Sequence, residues 1–319
     1  MRRNRAQRSG RRFFSLGMVA AGVACLAILS GMVIALSGVR VAAESPVSKS
    51  PDNPLRPSTG EGDDATSSGG KSTDAGAPAP AAPQGEHPLD AALAIAHRVQ
   101  DHIEKDVKDY TCTFIKQERV NGQLLDPSIM EAKFRPKPLG VYFKFLKPVD
   151  VKGREVLYLA GANGGKFVAR EGAGLKRAIG AVWLQPTSAL AMMDNRYPIT
   201  NAGLGHLTRR LIEIAEQDRK YGEVEVHFYK NAKVGTRNCT LIEVVHPTPR
   251  RVFLFYRARV YIDDELQVPI RYEAALWPTE PGKEPPLDES YTYKDLKLNV
   301  GLTDADFDYK NPKYGFVDK

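Results

Sequence analysis

The sequence predicts an α+β domain: a curved antiparallel sheet covered by an N-terminal helix and a helical insert. Three observations predict it. The last third of the chain alternates apolar and polar residues with period two, as a sheet with one buried and one solvated face does. A stretch near residue 90 carries apolar residues at helical spacing, and residues 186–222 return to that spacing between two sets of strands. A single sheet must bury its apolar face, and these two helical stretches are the available covers.

Each element follows in order. In residues 88–110, Ala92, Leu93, Ala96, Val99, Ile103 and Val107 make one apolar stripe, and the other faces are charged. His97 and His102 are five apart, do not share a face, and read as surface residues. YTCTFIKQERV (110–120) ends at Asn121-Gly122, a pair suited to the two positive-φ positions of a tight hairpin turn. SIMEAKFRP, GVYFKFLKP, REVLYLAG and KFVAR are further short strands with turn residues between them. PTSALAMMDNR (186–196) is helical. So is 201–222, where Leu204, Leu207, Leu211 and Ile214 form the stripe, flanked by Ile212 and Ala215, and Gly222 closes it. In RVFLFYRARVYI (251–262), Val252, Leu254, Tyr256, Ala258, Val260 and Ile262 share the predicted buried face; Arg251, Phe253, Phe255, Arg257 and Arg259 share the other. Val268, Ile270, Tyr272 and Ala274 repeat the pattern across Asp263-Asp264-Glu265, which predicts a hairpin. ESYTYKDLKLNV adds a last strand after the Pro-rich loop 278–286.

The chain divides into three parts: 1–43, 44–88 and 89–319. Seven arginines and no acid occur in 1–43, and Phe13 to Val39 is an uncharged run of 27 residues. This predicts an exported protein with a cytoplasmic N-terminus. The run fits a retained membrane anchor through 13–39 better than a secretory signal; Val41-Ala42-Ala43 before Glu44 is an acceptable cleavage site and keeps a cleaved signal as the alternative. Residues 44–88 are rich in Pro, Ser, Gly, Ala and Asp and lack aromatics, so they read as a disordered linker spanning roughly 35–40 Å. The expected location is the periplasm or cell envelope. The formal charge of +7 comes from the front: without those seven arginines, 38 basic residues face 38 acidic ones. A nucleic-acid footprint is therefore absent.

No catalytic signature is present. GANGGK departs from a phosphate-binding loop in spacing, and Phe167 stands where Ser or Thr belongs, so it reads as a hairpin turn. Asp304, Asp306 and Asp308 have calcium-loop spacing, but Tyr309 replaces the required Gly. Thr303 or Asp304 capping a short turn that inserts Phe307 into the core is the better reading. The histidines show no metal spacing, and no cofactor or metal is expected. Cys112 and Cys239 form either a disulfide or two buried thiols.

The layout of amphipathic helix, strand meander, helical interruption and returning strands resembles the lipoprotein-carrier fold, the LolA-like half-barrel. GVYFKFLKPVDVKGREVLYL, VYIDDELQVPIRYEAALW and YTYKDLKLNVGLTDADFDYKNPKYGF carry the resemblance. The same segments resemble an envelope family, domain of unknown function 1571, typical of planctomycetes, over about residues 89–317. The resemblance implies a periplasmic half-barrel whose concave face holds acyl chains. Arg154, Arg257 and Arg271 are all candidates for a carrier's functional arginine. Cavity candidates are Phe143, Phe145, Leu157, Leu159, Trp183, Met192, Met193, Val252 and Leu254. The expectation is a non-enzymatic protein that binds a lipid, a lipoprotein acyl chain or another apolar ligand. The alternative is a solid-core protein that docks a protein partner through Arg251, Arg257, Arg259, Phe253 and Phe255.

Overall fold

The computed structural model describes residues 87–317. The expectations for 1–43 and for nearly all of 44–88 lie outside the described residues. No helix among the described residues is long and apolar enough to cross a membrane.

Helix α1 (Leu89–Asp106) starts after Pro88, with Asp90 in its first turn and Lys105 in its last, both matched to the helix dipole. It leads into β1 (Tyr110–Val120), β2 (Gln123–Leu124), β3 (Ser128–Arg135), β4 (Gly140–Lys147), β5 (Glu155–Leu159), β6 (Phe167–Arg170) and β7 (Val182–Leu184). The insert supplies one turn of helix, α2 (Ala189–Met192), and α3 (Leu204–Asp218). Then come β8 (Glu225–Val234), β9 (Arg237–Val245), β10 (Arg257–Asp263), β11 (Pro269–Ala275) and β12 (Leu287–Leu298). Asn121 and Gly122 have φ of 50° and 81°, as the β1–β2 turn requires.

The strands form one sheet in the order β7-β6-β5-β4-β3-β1-β12-β11-β10-β9-β8, with β2 paired to β1. Every pairing is antiparallel, and β7 and β8 are separate edges, so the sheet is open. Two meanders meet at β1 and β12. Alternation assigns the faces. Cys112, Phe114, Met130, Phe134, Val141 and Phe143 join the core cluster that includes Val99 and Ile103 of α1 and Leu204 of α3. This is the inner face. Tyr142, Leu157 and Val168 point the other way and pack beneath Tyr314 and Phe316 of the C-terminal segment. The buried residues of all three apolar clusters lie between Leu89 and Phe316, so this segment carries its own core.

Two glycines are demanded by close approach. Gly203 has φ of 106°, and a Cβ there would sit 2.9 Å from the Tyr110 hydroxyl. That hydroxyl accepts a hydrogen bond from Leu204 N at 2.8 Å and so satisfies a donor at the start of α3. A Cβ on Gly140 would sit 2.7 Å from the Phe307 ring. Phe307 is delivered there by a short helical turn closed by the Thr303–Asp306 capping box.

Two expectations are corrected, and the open choice for the two cysteines is decided for buried thiols. The strand expected over 251–262 begins only at Arg257. Pro247 and Pro249 lack N–H donors, and the chain loops out of the sheet between them and Tyr256. Period-two parity reverses in that loop. Phe253 and Phe255 are each 5% exposed, whereas Val252 and Leu254 are 39% and 47% exposed. The helix expected over 186–196 is reduced to Ala189–Met192, capped by Ser188. Finally, Cys112 and Cys239 are free and buried. They lie on β1 and β9, and three strands separate them. Four inter-strand steps are roughly 19 Å along the sheet, well beyond disulfide reach. Burial pushes the Cys112 thiol up, and the Cys239 thiol up to about 11, so both are inert apolar fillers.

Candidate functional site

The inner face is filled on one half and hollow on the other. Aromatics fill the half made by β4, β3, β1 and β12. Tyr110 stacks on Phe134 with centroids 4.8 Å apart, Phe114 lies 4.9 Å from Tyr293, and Phe114 stacks on Phe143 at 5.8 Å. On the other half, alanines stand among larger aliphatic residues. Ala92 and Ala96 of α1, Ala215 of α3 and Ala258 of β10 face one another across a cavity of about 80 Å³. Leu93, Leu211, Ile214, Ile242, Val244 and Val260 complete much of its wall. The surface presented to the space is entirely apolar. That volume holds about five to eight water-sized groups. A cavity so lined has no hydrogen bonds to offer water, so it favours hydrocarbon.

Two polar residues border the space without opening onto it. Thr208 turns its hydroxyl back to Leu204 O at 2.9 Å. Asp218, at the end of α3, lies 3.3 Å from Nε2 of the fully buried His246, whose Nδ1 lies 3.1 Å from Phe255 O. This pair joins the end of α3 to the end of β9.

A second polar cluster closes the inner face where β1 and β12 meet the insert. Glu118 and Glu289 are both buried. The Tyr291 hydroxyl sits 2.7 Å from Glu118 Oε1 and 3.1 Å from Glu289 Oε2. Tyr272 donates to the other Glu289 oxygen at 3.1 Å. Lys116 reaches Glu118 at 3.0 Å and Asn195 Oδ1 at 2.6 Å. Arg196 latches the insert here: its backbone N–H donates to Glu118 at 3.0 Å and its guanidinium to Asp288 at 2.5 Å. Burial raises the Glu289 carboxyl above its ordinary value, although Arg196 and the tyrosine hydroxyls pull it down. Arg119 lies 3.8 Å from Asp288, so three cations face the three carboxylates of the cluster. Among the described residues no group of three or more His, Cys, Asp or Glu side chains is arranged to hold a metal.

None of the nine cavity candidates lines the cavity. Phe143 and Phe145 belong to the aromatic half. Leu157 and Trp183 lie on the outer face, where Trp183 meets Tyr309 edge-on at 4.8 Å. Leu159 shares their face by alternation in β5. Met192 is half-buried in α2, Met193 is exposed beside it, and Val252 and Leu254 are exposed in the 246–256 loop. Phe255, expected on a docking face, instead helps to line the cavity. The residues that do line it were visible as the helical stripes. Their signal was small size: alanines at 92, 96 and 215 where a filled core places larger groups.

A family model described as "Protein of unknown function (DUF1571)" matches residues 107–316. The chain belongs to this family. The matched residues of the DUF1571 domain take in every strand and α3, and α1 precedes them. No curated protein matches the chain significantly. Several solved structures are similar at low identity. A DUF1329 family protein from Desulfovibrio piger is 15% identical, with 70% of this chain and 98% of that one covered and a TM-score of 0.34. Lipoprotein LppX from Mycobacterium tuberculosis is 13% identical, with coverages of 67% and 98% and a TM-score of 0.37. A LolA superfamily protein from Nitrosomonas europaea is 12% identical, with coverages of 68% and 97% and a TM-score of 0.28. The DUF1571 domain itself is an open antiparallel sheet with α1 and α3 packed on one face.

Proposed function

We propose that the DUF1571 domain is a non-enzymatic binding module of the cell envelope that holds an acyl chain or another apolar ligand between α1, α3 and strands β9–β11. The observation that carries this reading is the apolar cavity, lined by alanines on two helices and one strand. Such a lining selects hydrocarbon and leaves any polar headgroup outside. The space accommodates about five to eight methylene-sized groups. A short chain fits as it stands, and a longer one requires α1 to lift. In this reading residues 1–43 direct export, and a retained 13–39 anchor makes 44–88 a tether that keeps the head near the membrane. Native mass spectrometry with lipid extraction, on residues 86–319 purified from a host envelope, tests the reading. A stoichiometric bound lipid supports it. A protein that stays empty after exposure to decanoate or phospholipid refutes it and favours the solid-core protein that docks a partner.

A further inference from the structure

One end of the sheet gathers exposed apolar side chains and lysines. Strands β4 and β5 are joined by residues 148–154, and β6 and β7 by 171–181. The two connections emerge side by side. Glu155 pairs with Arg170 across the strands, and Arg154 bonds Glu171 at 2.8 Å. Their backbones are so close that a Cβ on Gly172 would lie 2.3 Å from the carbonyl carbon of Gly153. Within the second connection, Leu175–Ile179 forms a short 3₁₀ turn between Gly174 and Gly180, whose φ are 73° and 82°. Arg177 ties this turn back by reaching the carbonyls of Glu171 and Gly172.

Apolar side chains stand outward here. Leu175 is 94% exposed, Val149 86% and Ile179 47%. They make up three of the eight large apolar side chains exposed among the described residues, and they share one end of the sheet. Lys147, Lys152 and Lys176 surround them and make no ion pair among the described residues, and Asp150 is the one unpaired acid of the two connections.

We propose that this end docks on an anionic lipid surface. Leu175, Ile179 and Val149 enter the headgroup boundary, and the three lysines meet lipid phosphates with their stems lying along the apolar patch. The composition favours lipid over protein. Protein interfaces concentrate Tyr, Trp and Arg and are poor in Lys, whereas this patch is aliphatic with a lysine rim. Each basic residue near an anionic bilayer strengthens partitioning about fivefold. The surface is separate from the cavity and stands whether or not the cavity holds a ligand.

Co-sedimentation of residues 86–319 with vesicles of phosphatidylglycerol, or of phosphatidylcholine, tests this. The protein is expected to pellet with phosphatidylglycerol, to do so less as salt rises, and to pellet weakly with phosphatidylcholine. Leu175→Asp with Ile179→Asp lowers partitioning about tenfold or more. Lys147→Glu with Lys152→Glu removes the preference for phosphatidylglycerol. All four side chains are exposed or at the loop surface, so unchanged thermal melting confirms that the variants fold. Wild-type protein that stays in the supernatant with both vesicles overturns the proposal and leaves the patch to an acidic protein surface. So does equal pelleting by the Leu175→Asp, Ile179→Asp variant.

Discussion

Filling the cavity should raise stability and abolish ligand binding at once. Ala258 is buried on β10, with Val244 and Ala274 opposite it on the neighbouring strands, and its methyl faces the cavity. Ala258→Leu adds three carbons to a space that holds about five to eight such groups. Burial of three carbons contributes about 2 kcal/mol, and fixing the leucine rotamer removes about 0.5–1 kcal/mol. The net gain of about 1–1.5 kcal/mol corresponds to a melting temperature roughly 3–5 °C higher for a domain of this size. Ligand reverses the order. A ligand at about a hundred times its dissociation constant stabilises the wild-type protein by about 2.7 kcal/mol and leaves the plugged variant unchanged. Thermal melts of both proteins, with and without decanoate, should therefore cross. Two results refute the reasoning. A lower ligand-free melting temperature for Ala258→Leu means that the space is already closed, because overpacking costs about 1–3 kcal/mol. An equal rise for both proteins on adding decanoate means that the chain binds elsewhere.

Other perturbations test the supports of the site. Arg196→Ala removes the guanidinium from buried Asp288 and Glu289 and should destabilise the domain by about 3 kcal/mol in urea melts. Tyr110→Phe leaves Leu204 N without its acceptor and should cost about 1–3 kcal/mol by the same assay. Acid should weaken the fold through Asp263. Burial raises its carboxyl, but hydrogen bonds from Arg237 and from the backbone of Leu266 and Glu265 outweigh burial and hold it below the ordinary value. A depressed carboxyl contributes stability above its unfolded value near 4, which is lost as pH falls through the folded one. Asp263→Asn should therefore flatten the loss of stability as pH falls below about 4. An unchanged slope assigns the acid sensitivity to other carboxylates, such as Asp306.

Much of the scaffold was legible because its strands are amphipathic. β1 is bounded by Asp109 and an Asn-Gly turn, and β11 keeps period two from Ile270 to Ala274. α1 and α3 show unbroken stripes. Legibility fails where both faces of the sheet are covered. Phe167, Val168, Ala169 and Arg170 of β6 are all buried, because the C-terminal segment packs on the outer face. Without a wet face, alternation cannot say which of Leu157, Tyr158 or Trp183 points inward. The site was missed for a different reason. Large aromatics were expected to line a hollow, yet large side chains fill space. Phe114, Phe134 and Phe143 pack face-on and edge-on into a solid block. The hollow forms where several elements each present a methyl group, a coincidence in space that no single stretch of sequence contains.

The unequal anchoring of α1 bears on how a ligand enters. Its C-terminal end is tied to the end of β12. Asn299 donates to Asp106 O at 2.9 Å and accepts from Lys108 N at 2.8 Å, and the Asp109 carboxylate accepts from Gly301 N and Leu302 N. Ile103 and Val107 are buried in the main core there. The N-terminal half has Ala92 and Ala96 over the hollow, Leu89 and Leu93 against Ile212 of α3 and Val224, and an exposed Asp90–Arg219 pair. Exposed pairs contribute little. Lifting the helix from its N-terminal end therefore breaks the weaker set of contacts and opens the cavity, while the C-terminal end acts as the pivot. Hydrogen exchange reads this directly. Amides of residues 93–98 should exchange faster than those of 99–106, and decanoate should slow the first group alone. A helix that exchanges as one unit, unchanged by decanoate, would mean that α1 is a fixed wall and that entry lies at the β8 edge instead.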